Sequence, residues 1–445
     1  MISSKYFFKP MLILSGGSAL GHLITAIALP IATRLYSPED FTILSAFTAI
    51  TSLIAVIACL RYEVAIPIAE SKKEASVLLY ISVLSICVFI LISFLAIQLA
   101  GSSVLTSLRL DYISGYKYMI PISIAALSLF NVMLYWHLYE GEFNYISTVN
   151  IVRSLSLCLA QILLGFMAFG PLGLLIAYIL NSGVGLLFFV WKFLKKFKFS
   201  RITKQTLKTT AKKYIKFPKY STYEALFNTA SMQAPVLIIA SFGIGPEAGF
   251  LMISVYVMQV PMLLIGNSAG QVYYAKAANE YKNGNLGSFN LHVIEKLSYT
   301  GIGPIIFIGI VSPNIFSLVF GEGWDRAGEM VQFMTPWFLL QFLTSPLSPS
   351  FLVTGNQKRA LQLQLFGFIF RTFTVIFAMF AYPILMVEFY AFSGFIFYFI
   401  YLICILSLSS VSLEDLIKSL FIKWWIMIGW AILGFGIINL TELII

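Results

Sequence analysis

The residues most able to do chemistry in this sequence are single charges inside, or at the ends of, long apolar runs. Six of them are the candidate site residues: Arg34, Arg61, Glu63, Arg153, Glu224 and Arg371. Charged side chains are costly in hydrocarbon, so those found there usually face a cavity or a partner. Arg153 and Arg371 stand well inside their runs, and together they predict a cationic cavity for an anionic substrate.

Each of these charges also has a structural interpretation. Arg153 and Arg371 could form internal ion pairs or extend toward the membrane surface, although Arg371 is too central in its run to do so easily. Glu224 could pair with one of these arginines or carry a coupling proton. Arg61 and Glu63 could simply pair with each other at the membrane interface.

No pattern in the sequence indicates a catalytic centre, a metal site or a cofactor. There is no Walker loop. The three histidines lie in three separate segments, and the four cysteines stand inside apolar runs without the spacing of metal ligands. We therefore expect no catalytic residues, no metal and no cofactor.

Composition indicates that the membrane is the environment of this chain. Of its 445 residues, 59% are hydrophobic and 11% are charged, whereas charged residues make up about 25% of an ordinary soluble domain. The net charge of +10 is concentrated between Trp191 and Tyr220, where 11 lysines and arginines stand without an acid. A protein that binds nucleic acid spreads positive charge over a surface instead. We therefore expect an integral membrane protein without a nucleic-acid partner.

Apolar runs of about 20 residues, the length of a membrane-spanning helix, recur along the chain. They predict an all-α, polytopic membrane protein with twelve transmembrane helices and a thirteenth, C-terminal hydrophobic helix. The predicted spans cover about 11–33, 40–62, 76–99, 117–138, 146–168, 171–192, 218–242, 248–270, 291–312, 328–352, 360–380, 384–408 and 421–440.

The basic segment divides the twelve helices into two sets of six. The predicted domains are an N-terminal six-helix lobe, a basic cytoplasmic linker, a C-terminal six-helix lobe and an extra hydrophobic segment, at 1–192, 193–217, 218–408 and 409–445. Within the linker, residues 201–215 could form an amphipathic helix on the anionic inner leaflet, or a solvated connection.

The distribution of lysine and arginine predicts the orientation. With the N-terminus in the cytoplasm, the cytoplasmic loops hold 21 of these residues and the outer loops hold 4. Cytoplasmic loops of membrane proteins carry this kind of excess. The sequence therefore predicts a multi-pass membrane protein with a cytoplasmic N-terminus.

Four stretches of the sequence carry a family resemblance. The first is the glycine-rich start of the first helix together with its exit. The others lie at the end of helix two and in helices seven and eight. In order, they are Ser15–Gly21 with Leu29–Phe41, Leu60–Pro67, Gln233–Ile238 and Pro261–Val272. Together they resemble bacterial polysaccharide-biosynthesis flippases, members of the multidrug/oligosaccharidyl-lipid/polysaccharide flippase superfamily.

The resemblance implies two six-helix lobes around a central cavity in the bacterial inner membrane. It also implies a substrate, an undecaprenyl-pyrophosphate-linked oligosaccharide such as an O-antigen or capsule repeat unit, moved to the periplasmic leaflet by alternating access. Arg34 and Arg61 match arginine positions of the family, while Arg153 and Arg371 suit a cationic cavity without matching a motif. Implied partners are membrane lipids, a coupling ion (H⁺ or Na⁺) and polysaccharide polymerisation machinery.

Two other functions are alternatives to a flippase. A multidrug or cation antiporter of the same fold would have an acidic cavity, and this chain has at least as many intramembrane bases as acids. A membrane polysaccharide polymerase would carry a large outer loop with catalytic polar residues. The longest predicted outer loops, about 100–116 and 313–327, are short.

Overall fold

The computed structural model describes residues 4–196, 203–421 and 424–444. Every regular element in these ranges is a helix. Eleven helical stretches among the described residues are long and apolar enough to cross a membrane, and a bent pair near the C-terminus would make twelve. The predicted all-helical, polytopic membrane fold is confirmed.

Residues 1–242 form the first of two compact units. Its helices are α1 (Ser4–Leu35), α2 (Pro38–Ala58), α3 (Lys72–Ser107), α4 (Met119–Tyr139), α5 (Phe143–Phe166), α6 (Pro171–Lys196), α7 (Lys204–Lys213) and α8 (Thr222–Phe242). Within it α5 packs between α1 and α6, and α2 packs against α4 and α8.

Small residues on α1 allow it to lie close to α5. A side chain added at Gly17 would collide with Ser147 of α5, and one added at Gly21 would meet Ser154. Close approach through small residues is the usual way in which transmembrane helices associate. The glycine-rich first helix is therefore explained by packing.

The turn into α2 is fixed by its own sequence. Ser37 accepts a hydrogen bond from the backbone N–H of Asp40 at 3.3 Å, and the Asp40 carboxylate accepts one from the Ser37 N–H at 3.0 Å. Pro38 occupies the first helical position, where the missing N–H costs nothing. This reciprocal cap ends α1 and starts α2 within three residues.

Residues 243–445 form the second unit. Its helices are α9 (Glu247–Pro261), α10 (Asn267–Lys282), α11 (Leu286–Leu297), α12 (Gly303–Phe320), α13 (Asp325–Thr344), α14 (Ser350–Val353), α15 (Gln357–Ala381), α16 (Met386–Leu408), α17 (Leu413–Phe421) and α18 (Trp424–Ile444). Here α13 packs against α9, α12 and α16, while α15 lies on α16 and α18 on α12.

The C-terminal hydrophobic segment belongs to this second unit. Gly303 of α12 leaves room for the ring of Trp430, and any larger residue there would collide with it. Phe307 packs on the same indole with ring centroids 5.7 Å apart. Since α17 and α18 meet at a bend of 57°, the predicted thirteenth helix is half of a bent pair.

The tenth predicted span differs from the structure. Predicted as one helix at 328–352, it is interrupted after Thr344: a 3₁₀ turn over Ser345–Leu347 contains Pro346, and the short α14 follows Pro349. Gln332 and Gln341 keep α13 too polar to count among the eleven apolar stretches. The region predicted to open the second lobe, 218–242, packs against α2 within the first unit. The domain division at the basic linker stays a prediction.

Candidate functional site

The most deeply buried of the predicted site residues is Arg371, near the middle of α15. Its side chain is only 1% exposed. Three aromatic rings surround the guanidinium, whose carbon lies 4.4 Å from the centroid of Phe397, 5.3 Å from that of Trp337 and 5.4 Å from that of Tyr398. Contact with ring faces stabilises a cation that has left water.

Two glycines allow these rings to close around the arginine. A side chain at Gly394 on α16 would collide with the Trp337 indole, and one at Gly367 on α15 would collide with Phe397. Gly367 also lies one helical turn before Arg371, on the same face of α15. The aromatic pocket around Arg371 therefore depends on both glycines.

The Arg371 guanidinium has unused donors. Its Nε and Nη2 atoms are buried without a hydrogen-bond partner, and so is Nε1 of the neighbouring Trp337. Among the described residues, no carboxylate lies within 4.0 Å of Arg371 to form an ion pair. A buried charge without a partner is strongly unfavourable. The arrangement suits an anion with several oxygen acceptors, because every unused group here is a donor.

Arg153 has a similar setting in the first unit, near the middle of α5. Its Nε donates a hydrogen bond of 2.9 Å to Oδ1 of Asn181 on α6. Its guanidinium carbon lies 4.2 Å from the centroid of the Phe130 ring. Gly185 leaves room for that ring. Arg153 and Arg371, the two arginines deep in apolar runs, thus each contact an aromatic ring for which a neighbouring glycine leaves room.

Arg61 and Glu63 lie together just beyond the end of α2. Arg61 Nη1 is 3.6 Å from Glu63 Oε1, so the pairing that the sequence left open is present. Burial raises the pKa of the Glu63 carboxyl, and the Arg61 charge offsets only part of that effect. Glu63 Oε2 has no hydrogen-bond partner. This buried carboxyl is therefore suited to taking up a proton.

Arg34 and Glu224 are both exposed, and each complements a helix dipole. Arg34 lies in the last turn of α1 and Glu224 in the first turn of α8, where those charges are favoured. The length of α2, about 30 Å by helix rise, separates Arg34 from Arg61. Among the described residues Glu224 forms no ion pair with an arginine. The structure does not gather the predicted residues of the first unit into one site.

Comparison with known proteins identifies the family. A family model described as "Polysaccharide biosynthesis protein" matches residues 31–329, more than half of the chain. The chain belongs to this polysaccharide biosynthesis family. The family predicted from four short sequence stretches is thus confirmed. No curated protein sequence matches the chain.

Solved structures show that this polysaccharide biosynthesis family member has the fold of the MOP transporter superfamily. An inward-facing multidrug resistance MATE transporter superposes with a TM-score of 0.70 at 16% identity, over 88% of this chain and 96% of that one. The lipid II flippase MurJ, in an inward closed conformation, gives 0.68 at 14%, over 97% and 98%. A MOP transporter from Pyrococcus furiosus gives 0.57 at 15%, over 90% and 96%.

Two charge clusters of this family member were not predicted from the sequence. In the second unit, Arg326 falls in the predicted outer loop 313–327, yet its guanidinium bonds three carboxylates. Nη2 is 2.6 Å from Glu388, Nε is 3.1 Å from Glu247 and Nη1 is 3.0 Å from Glu329. Glu247 and Glu388 both stand in the first turn of their helices. Acidic residues are favourable at that position, so the sequence contained a signal for these two partners of Arg326.

The second cluster lies in the first unit around Glu142. Its carboxylate accepts from Lys196 at 2.6 Å, Lys192 at 3.0 Å and His137 Nδ1 at 2.6 Å. Burial alone would raise the pKa of Glu142, but the bonds from Lys196, His137 and Lys192 outweigh it and lower the pKa to about 2. His137, one of the three histidines in separate segments, connects α4 to this cluster.

Replacing Glu142 by glutamine is expected to remove a pH-dependent part of the stability. The carboxyl has a pKa of about 2 when folded and an ordinary value of 4.5. Its contribution is therefore complete above pH 4.5 and is lost as the pH falls toward 2. Thermal unfolding in detergent should show a melting-temperature gap between wild type and Glu142→Gln that shrinks over this range. Glu322→Gln, an exposed carboxyl, is the control. A gap independent of pH would contradict the assignment.

Proposed function

We propose that this protein is a flippase for an undecaprenyl-pyrophosphate-linked oligosaccharide, an O-antigen or capsule repeat unit, in the bacterial inner membrane. The family and the fold support a role in polysaccharide export. The observation that carries the proposal is Arg371, a buried arginine with unused donors and no carboxylate partner among the described residues. A guanidinium binds phosphate oxygens two at a time, which suits a pyrophosphate.

The proposed mechanism is alternating access. The pyrophosphate would bind Arg371 within the aromatic pocket, and the lipid tail would stay in the bilayer. Since Arg371 is closed off here, binding requires the helices around it to separate. Arg153, which retains one bond to Asn181, is also proposed to bind substrate. Arg34 and Arg61 lie at opposite ends of α2. In this scheme Arg61, on the predicted cytoplasmic side, would act at entry, and Arg34 would act at release.

The proposed driving force is an ion gradient, H⁺ or Na⁺. Of the two acids predicted for coupling, Glu63 suits a proton better than Glu224, because Glu63 is buried and Glu224 is exposed. A protonated Glu63 would release Arg61 from its ion pair. Proton uptake would thereby change the charge at one end of α2. The cytoplasmic N-terminus and an association with polymerisation machinery are also part of the proposal.

Deleting the gene tests the function directly. We expect complete single oligosaccharide units on their lipid carrier to accumulate in the inner leaflet, where a membrane-impermeant glycosidase or lectin added to spheroplasts cannot reach them. Expression of the wild-type chain should restore their exposure. Units that reach the outer leaflet normally but fail to polymerise would refute the flippase and favour a polymerase. Normal glycan export together with a new sensitivity to cationic drugs would favour an antiporter.

A further inference from the structure

A cleft in the first unit carries charges that the proposed transport path does not use. It lies where α3 begins and where α4 and α6 end, and it opens to the surroundings. Three lysines, a histidine, two glutamates and two aromatic rings line it. These helix ends are on the side that the lysine and arginine distribution predicts to be cytoplasmic.

The lysines of the cleft retain free donors. Lys72 Nζ is 2.8 Å from Glu140, and Lys196 Nζ is 2.6 Å from Glu142. Each ammonium has three donors, so one carboxylate contact leaves others for a ligand. The two side chains are 57% and 62% exposed, which keeps these donors accessible. The cleft therefore offers two reachable ammonium groups that are already held in position by carboxylates.

The balance of charge in the cleft is positive. His137 is buried, and its ring nitrogens lie 2.6 Å from the Glu142 carboxylate and 3.1 Å from the Phe189 carbonyl. Three lysines outnumber the two glutamates among the residues that line the cleft. An anion that enters meets net attraction.

Two lysines of the cleft lie over aromatic rings. Lys72 lies over Trp136, 6.0 Å from the ring centroid, and Lys192 lies over Tyr145 at 3.9 Å. Trp and Tyr are typical of the membrane–water interface. Beside the cleft, the exposed residues Leu187, Phe188, Trp191 and Leu194 on α6 offer apolar surface to acyl chains. Charge and apolar surface thus have the arrangement of a phospholipid.

We propose that this cleft binds the phosphate group of an anionic glycerophospholipid from the inner leaflet. Lys72 and Lys196 donate to the phosphate oxygens, Lys192 and His137 hold Glu142 between them, and the acyl chains lie along α6. The lipid would connect the start of α3 with the ends of α4 and α6 at the membrane surface. The site is independent of the transported substrate.

The test measures phosphatidylglycerol binding to the purified full-length protein in detergent by native mass spectrometry. The variant is Lys72→Gln/Lys196→Gln, which removes the two exposed ammonium groups and keeps Lys192 on Glu142. We expect about 30-fold weaker binding, from the usual contribution of each lysine at an anionic membrane surface. Lys72→Arg/Lys196→Arg should retain most of the affinity, and phosphatidylcholine should bind weakly to every form.

The matched control is Lys204→Gln/Lys208→Gln on α7, where two exposed lysines outside the cleft are removed with the same loss of charge. Retained affinity in this control supports a defined site, and an equal loss would show diffuse attraction and overturn the proposal. Unaltered binding in the cleft variant would also overturn it. So would displacement of phosphatidylglycerol by stoichiometric undecaprenyl pyrophosphate, because the cleft would then belong to the substrate. A melting temperature close to wild type confirms that each variant folds.

Discussion

Replacing Arg371 by methionine is expected to abolish transport and, at the same time, to make the protein more stable. The arginine is 1% exposed, and its Nε and Nη2 have no hydrogen-bond partner. Exchanging buried ionic groups for apolar ones of similar size often raises the free energy of unfolding by about 1–4 kcal/mol. Losing two bonds to a charged ligand, about 1.5–3 kcal/mol each, would slow flipping at least about 100-fold.

Two measurements separate this expectation from a structural role. Flipping is followed by the exposure of lipid-linked units in a deletion strain, and stability by thermal unfolding of the purified variant. Arg359→Met, on an exposed position of the same helix, should change neither. Arg371→Lys keeps the charge but not the planar fork, so partial transport is expected. An Arg371→Met protein that transports normally, or that melts well below wild type, would remove Arg371 from the substrate path.

The sequence was sufficient to find Arg371 but not its surroundings. The cost of a charge in hydrocarbon made a single arginine in an apolar run conspicuous, whatever lies next to it. The rings and one of the two glycines around it come from α13 and α16, and no local periodicity links Trp337 or Gly394 to α15. From the sequence alone, an aromatic residue in an apolar helix could face lipid or protein equally well. Only the packing of three helices distinguishes Trp337 from the other aromatic residues.

The fold was predictable for the same physical reason. Without water in the bilayer core, each span must satisfy its backbone within a helix, so apolar length alone gives most helix positions. That rule weakens where a helix is buried among others and tolerates polar residues, as α13 does with the buried Gln341. Apolar length also fails as a guide at charges near helix ends. There, a loop residue and a residue that bonds several carboxylates can have the same local sequence. Arg326 is the clearest example.

Replacing Arg326 by glutamine is expected to lower the free energy of unfolding by about 2–3 kcal/mol. Removing one partner of a fully buried ion pair costs about 3–5 kcal/mol, and Arg326 retains 23% exposure, which reduces the loss. Three carboxylates from α9, α13 and α16 would remain without their shared cation. The measurement is chemical or thermal unfolding in detergent near neutral pH.

Two further variants show whether Arg326 acts by joining helices. Glu329→Gln removes a 52% exposed partner on the same helix, and such pairs contribute about 0.3–0.5 kcal/mol. Glu388 is mostly buried and on another helix, so Arg326→Gln/Glu388→Gln should regain part of the stability that Arg326→Gln loses. If the two substitutions simply add, the carboxylates do not repel one another without Arg326. The cluster would then be a surface feature, and the starts of α9, α13 and α16 would be held together by apolar packing alone.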